Sequence, residues 1–379
     1  MEALNLQEFH RARGAEFMPI GGMEAVASYG DTLDEHTALR ESAGVLDLSF
    51  RGRLCLVGTE RARFLHGQVT NDVQRLKAGE GCYAALVNAK GKMESDLNIY
   101  CLPEELLLDF EPGFSECIRK RLEKYIVADD VQVVEVAPIY GVLSVQGPKA
   151  ESVISKMNLF SHVPAARLNI GKVADDVFGD IYVANQPQTG DAGFDLFIPI
   201  ASLGTIADKL VTITTSLGGR LCGWKALESA RIEAGIPRFG EDMDETNLPL
   251  ECGIETRAVS YTKGCYVGQE VLNRIHTIGH VNRELRGLRL ADDLPGLPAK
   301  GDKLYQTGKE AGYVTSAITS PLFGRKIALA YVRREFAQAG AELTLRAASG
   351  ESPAIVVELP FTAKTVLQQQ SNEGTKLPG

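Results

Sequence analysis

The 379-residue chain is 44% hydrophobic and 23% charged, ordinary proportions for a globular protein with a full core, and a length of this order suits two or three domains. Its net charge of −9 argues against a nucleic-acid scaffold, which needs a basic excess, while leaving room for a local basic pocket. Seven dispersed cysteines without CxxC spacing read as reduced thiols rather than a disulfide framework. With no apolar run of about 18 residues and no basic-then-apolar opening, cytoplasm is the expected compartment, and neither membrane nor nucleic acid is an expected partner.

In chain order, the first fifty residues read as a short helix, a Gly21-Gly22 turn, a helix over 34–40 and an alternating strand over 45–49. A strand over 53–57 and a short helix over 60–65 lead into Gly67-Gln68-Val69-Thr70-Asn71-Asp72-Val73. There a glycine turn feeds polar side chains into an apolar setting, although Asn71 and Asp72 also suit plain turn chemistry. Strands over 84–87 and 96–101 flank a turn at 88–92, with Ser95-Asp96 opening the second. A strand over 106–110, a helix over 115–126 capped by Ser115, strands over 131–136 and 140–145 and a helix over 149–157 follow. Arg119, Lys120, Arg121 and Lys124 read as a solvated helix face.

Strands over 178–184 and 194–199 bracket the loop 186–193, and Asp195 sits just beyond it. Helices over 202–217 and 223–234, the second closed by Gly235 and Pro237, precede an acidic loop at 239–251. Asp242, Asp244 and Glu245 lack the order of a calcium loop, and His276 and His280 lack a third ligand, so no metal site is expected. Between these lies Lys263-Gly264-Cys265-Tyr266-Val267-Gly268-Gln269-Glu270. Gly268 is placed to end a turn and Gln269 to open a helix whose free N–H groups point back at the thiol; a cation two residues before Cys265 also favours thiolate. The alternative is a small buried cysteine with no chemistry. From residue 284 the pattern changes to short strands (285–290, 312–316, 327–332, 342–345, 355–359) with Gly/Pro turns, a separate small β-barrel or sandwich. The polar residues 368–379 read as disordered.

Lys263-Gly264-Cys265-Tyr266-x-Gly268-Gln269-Glu270 resembles the signature octapeptide of the YgfZ-type folate-binding proteins. These are relatives of the glycine-cleavage T-protein (aminomethyltransferase) associated with assembly and repair of iron–sulfur proteins. The stretch 64–73 resembles a second hallmark of that group, and the loop 239–251 follows the T-protein loop almost position for position. The resemblance spans residues 18–360. It implies an α+β fold, a folate-binding body of two intertwined α/β subdomains over 1–283 with a C-terminal antiparallel β-barrel over 284–362, and it leaves 363–379 as a tail.

The ligand implied is tetrahydrofolate or a one-carbon-substituted folate. The implied folate-binding residues are Asp96, Asp195, Asn71 and Gln188, with Asp195 as the carboxylate able to accept two adjacent N–H donors of a pterin edge. Cys265 and Lys263 are the implied catalytic pair, with Gly264, Tyr266, Gly268, Gln269 and Glu270 completing the motif. Six positions depart from T-protein: Phe50 stands for a His, Ser95 for an Asp, Gln188 for a Tyr, Leu227 for an Arg, and Asp191 and Asp195 each for a Glu. The implied function is a folate-binding protein supporting iron–sulfur cluster assembly or repair through Cys265, with iron–sulfur or cluster-assembly proteins as partners. The alternatives are an aminomethyltransferase and a non-catalytic folate-binding regulator.

Overall fold

A computed structural model describes residues 2–348 and 350–367. The expectation of disorder over 368–379 falls outside the described residues, whereas Ala363–Leu367, assigned to the same tail, forms a short helix. The chain divides into two compact units: residues 1–231 with 236–282, and residues 232–235 with the chain from 283 onward.

The first unit is built on two sheets. A six-stranded sheet runs in the order Ile170–Asp175, Gly179–Asn185, Gly193–Pro199, Tyr140–Gln146, Gly44–Asp47, Arg220–Leu221. A five-stranded antiparallel sheet runs Gly81–Val87, Met93–Cys101, Glu105–Phe110, Gly52–Val57, Gln132–Glu135. The chain leaves the first sheet after Asp47, builds the whole of the second and returns at Tyr140, so the two are intertwined. The helices Ala150–Lys156 and Ile200–Ser216 close one face of the six-stranded sheet with Val153, Ile154, Leu203, Ile206 and Leu210. The helices Arg61–Gln68 and Ser115–Glu123 close one face of the other with Phe64, Leu65, Ile118 and Leu122. The residue at the cap of the latter helix is Phe114, and Ser115 is its first helical residue.

The opposite faces carry the polar chemistry. Along Met93–Cys101 the period of two puts Leu97 and Ile99 into the helix-covered core and turns Asp96 and Asn98 the other way. Elements absent from the sequence reading include the hairpin Glu16–Ile20 with Met23–Ser28 around the Gly21-Gly22 turn, the edge strands Ile170–Asp175 and Arg220–Leu221, the short helix Glu255–Ala258, and the four-residue strand Lys303–Gln306. The second unit is a closed antiparallel barrel of six strands, Arg283–Leu290, Arg325–Arg333, Lys309–Ser320, Lys303–Gln306, Glu342–Ala347 and Gly350–Val357, filled by Leu288, Val314, Ala328, Ala330, Leu345 and Val356. No helix among the described residues is long and apolar enough to cross a membrane.

Candidate functional site

The polar face of the five-stranded sheet lines a cavity of about 90 Å³ in the first unit. Tyr83 and Asn98 are register partners, and the Tyr83 hydroxyl reaches diagonally to donate to Asp96 Oδ2 at 2.6 Å. Asn98 donates to Asp109 Oδ2 at 3.0 Å, and Asp109 accepts a bidentate pair from Arg51 at 2.9 Å each, while Arg51 Nη1 donates to Glu111 at 2.6 Å. Desolvation opposes the charge on Arg51, but Asp109 and Glu111 outweigh it and keep the guanidinium charged.

A second wall comes from the helix Trp224–Glu233 and the turn after it. Glu228 accepts from both Arg231 (2.7 and 3.0 Å) and Arg238 (3.1 and 3.2 Å), and Arg231 also donates to Asp242 at 2.5 Å. Burial would raise the Glu228 pKa, yet the two guanidinium groups bring it down to about 2, so the carboxylate is ionised at all ordinary pH. These bonds make Arg231 a brace between the helix and the turn after it. Leu227, in place of the family's arginine, lines the cavity as hydrocarbon.

Asp96 lines the cavity, and its carboxyl is pushed up to about 6 by burial, with the Tyr83 hydrogen bond pulling the other way. A carboxyl titrating there is suited to give or take a proton near neutral pH. Asp195 is 1% exposed and does not line the cavity. It lies on the central strand Gly193–Pro199 and is covered by Gln188, which does line the cavity and whose Nε2 donates to both carboxylate oxygens at 3.2 and 3.0 Å. Desolvation raises the Asp195 pKa to about 7, against the hydrogen bonds from Ser144 and Gln188.

Asn71 departs from expectation. Its side chain donates to Tyr83 O at 2.8 Å and Arg257 O at 3.0 Å and accepts from Asp72 N at 2.8 Å, so its hydrogen-bonding capacity goes to the backbone rather than a ligand. Lys263 departs too. Its ammonium is buried and donates to the carbonyls of His66 (2.5 Å), Val69 (2.6 Å) and Asn71 (2.9 Å), leaving it a clamp between two distant stretches of chain instead of a neighbouring charge for Cys265. Thr70 reinforces the clamp through Ala258 O at 2.6 Å, and Val267 N donates to Gly67 O at 3.1 Å. The two hallmark stretches of the sequence are therefore zipped together.

The turn and helix of the octapeptide form as expected. Gly268 has φ +85°, and the helix Gln269–Ile278 follows it. A Cβ on Gly268 would sit 2.5 Å from Asn88 O, so both conformation and space demand glycine. Tyr266 is buried under the Lys263 ammonium at 4.7 Å, Gly264 passes His66, and Glu270 is exposed beside Arg274. Cys265 is exposed, so the buried-hydrophobe alternative is excluded, but it is not among the residues lining the cavity. Among the described residues no three His, Cys, Asp or Glu side chains group closely enough to hold a metal ion.

Sequence reasoning missed Tyr83, Arg51, Asp109, Glu111, Gln186, Arg167 and Arg257. Tyr83 was accessible from the hairpin around 88–92, whose register sets it diagonal to Asp96. The guanidinium of Arg257 lies over the Tyr83 ring at 5.3 Å and pairs with no carboxylate among the described residues. Two buried acceptors on the cavity wall lack hydrogen bonds: Gln186 Oε1 and Glu111 Oε2, the latter 3.8 Å from Arg238. Unmet acceptors on a polar cavity wall fit a ligand that presents N–H donors, as a pterin does.

Comparison with known proteins agrees with this architecture. The GCVT N-terminal domain description matches residues 6–263, and the glycine cleavage T-protein C-terminal barrel domain matches 283–362. An aminomethyltransferase of Rubrobacter xylanophilus is 31% identical over 94% of this chain and 93% of its own length. One of Desulforamulus reducens is 28% identical over 95% and 98%. The crystal structure of glycine cleavage system aminomethyltransferase T from Bartonella henselae superposes with a TM-score of 0.86 at 24% identity, over 95% of this chain and 98% of that one, and shares the fold.

Proposed function

The chain belongs to the glycine cleavage T-protein family, and from that premise we propose that it binds tetrahydrofolate or a one-carbon-substituted folate in the cavity around Asp96 and performs aminomethyltransferase-type one-carbon exchange. The observation that carries this reading is Asp96 itself: a cavity carboxyl, held by the Tyr83 hydroxyl, with its pKa raised to about 6. The folate would supply the nitrogen that carries the one-carbon unit. Asp96, through the oxygen not taken by Tyr83, would hold or release the proton at the exchanging nitrogen. Asp195, Gln186 and Glu111 would accept ring donors, and Arg257 and Arg167 would face the anionic end of the ligand.

The test is turnover with an aminomethylated lipoyl carrier and tetrahydrofolate, followed by ammonia release. Asp96→Asn is expected to cut turnover about 100-fold or more while binding folate within a few-fold. Wild-type protein that binds folate yet shows no turnover would overturn the transferase reading.

A second reading is favoured by one observation. The YgfZ-type octapeptide is complete and its thiol, Cys265, is exposed, which suits a redox, nucleophilic or transient-ligand role in support of iron–sulfur proteins. Under it, Cys265→Ala keeps folate binding but fails to restore iron–sulfur enzyme activity in cells lacking the protein. Full restoration by that variant would remove the thiol from the account.

A further inference from the structure

Both oxygens of Asp195 already accept from a side chain of the protein itself. Gln188 Nε2 sits 3.2 and 3.0 Å from them, the place that the paired donors of a pterin edge would take. The cavity left beside this amide, about 90 Å³, is well below the roughly 300–1,000 Å³ of ordinary small-molecule sites. Resting on the folate reading above, we propose that Gln188 is a built-in competitor for Asp195, and that only a ligand edge bearing two parallel N–H donors displaces it.

The surroundings confine the motion to one side chain. Gln188 N donates to Gln146 Oε1 at 2.9 Å, and Gln146 Nε2 donates in turn to Ser144 Oγ at 2.8 Å and Gln186 O at 3.0 Å. On the other side Arg40 donates to Thr189 O at 2.8 Å and Asp191 at 3.1 Å, and to Ala230 O at 2.9 Å. Gly193 lets Gln146 lie against the strand, since a Cβ there would fall 2.1 Å from Gln146 Oε1. The loop backbone is pinned at both ends of 188–191, and the partly buried Gln188 side chain remains able to rotate.

The exchange is selective because of donor geometry. One amide nitrogen bridging two oxygens serves both acceptors from a single point. Two ring-edge N–H groups serve one oxygen each, in the parallel bidentate arrangement that makes carboxylate recognition strong. A ligand with one donor merely replaces one bridging nitrogen by another and gains nothing. Apparent affinity for the right ligand is reduced by the fraction of protein in which the carboxylate is uncovered, so the competitor sets a threshold as well as a preference.

The experiment compares wild type, Gln188→Ala and Asp195→Asn, each checked for a single cooperative thermal transition. The probes are 5-formyltetrahydrofolate, a tetrahydropterin fragment and p-aminobenzoylglutamate, which lacks the pterin edge, all titrated at pH 8. Gln188→Ala is expected to bind both pterin-bearing probes roughly tenfold tighter, with p-aminobenzoylglutamate unchanged and Asp195→Asn losing the pterin probes. Equal or weaker pterin binding by Gln188→Ala, with loss in Asp195→Asn, overturns the competitor while leaving the folate site standing. An equal gain for p-aminobenzoylglutamate also overturns it, because the effect would then be added space. Failure of wild type and Gln188→Ala alike to bind any pterin overturns the folate reading and the competitor with it.

Discussion

Under the proposed reading Asp96 and Tyr83 would form a proton-handling pair, whose tuning can be read in a titration. The Tyr83 hydrogen bond lowers a carboxyl pKa that burial raises to about 6, so Tyr83→Phe is expected to move the Asp96 limb of the pH–rate profile upward. A profile that stays in place would separate that limb from Asp96. Lys263 makes a different kind of prediction. Lys263→Met leaves three inward carbonyls without their donor and should cost about 2–4 kcal/mol in urea unfolding, with Cys265 no less reactive toward iodoacetamide. A marked loss of thiol reactivity in the folded variant would return Lys263 to the role that its position in sequence suggests. That position is misleading for a physical reason: the carbonyls it serves are nearly 200 residues upstream, and no local spacing encodes them. Asn71 was misread for the same reason. Asp96 and Gln188, both on the cavity wall, could be singled out because the family pattern marks both positions.

At the scale of elements, the turn into Gln269–Ile278 was fully legible, since a glycine with φ +85° and a helix start leave local signals. The crowding behind Gly268 was not, because Asn88 comes from another strand pair. Gly268→Ala carries both the left-handed penalty and the 2.5 Å clash with Asn88 O, whereas Gly14→Ala, at φ +77° with nothing within 4 Å, carries the first alone. Gly268→Ala is therefore expected to destabilise by about 1 kcal/mol or more beyond Gly14→Ala, measured by denaturant midpoints. Equal costs would show that the Asn88 loop yields freely. The hairpin at 16–28 and the strand Lys303–Gln306 were missed because strands this short have too few residues to establish a period of two. The basic helix departs from its reading at one of four cations: Arg121 turns inward, 9% exposed, to Glu94 and Gln68, while Arg119 and Lys120 form the solvated face with Glu116 and Lys124 is exposed.

For the molecule as a whole, carboxyls whose pKa values are raised by desolvation, Asp195 among them, set a cost to folding. Asp195 titrates near 7 in the folded protein against an ordinary value of 3.8, so between about pH 4 and pH 7 the folded state holds a proton that the unfolded state has lost. Its contribution to stability therefore declines as pH rises through that window. Asp195→Asn should unfold at a higher temperature than wild type at pH 8, the difference shrinking as pH falls and closing near pH 4; a difference as large at pH 4 as at pH 8 would assign the effect to packing. Under the proposed folate reading the same titration would govern binding, since only the carboxylate accepts two donors. The most direct measurement is calorimetric titration of tetrahydrofolate into wild type and Asp195→Asn at pH 6 and pH 8. The account predicts tighter binding at pH 8 in wild type and weak, pH-independent binding in the variant. Absence of folate binding, or equal affinity in both proteins at both pH values, would contradict it.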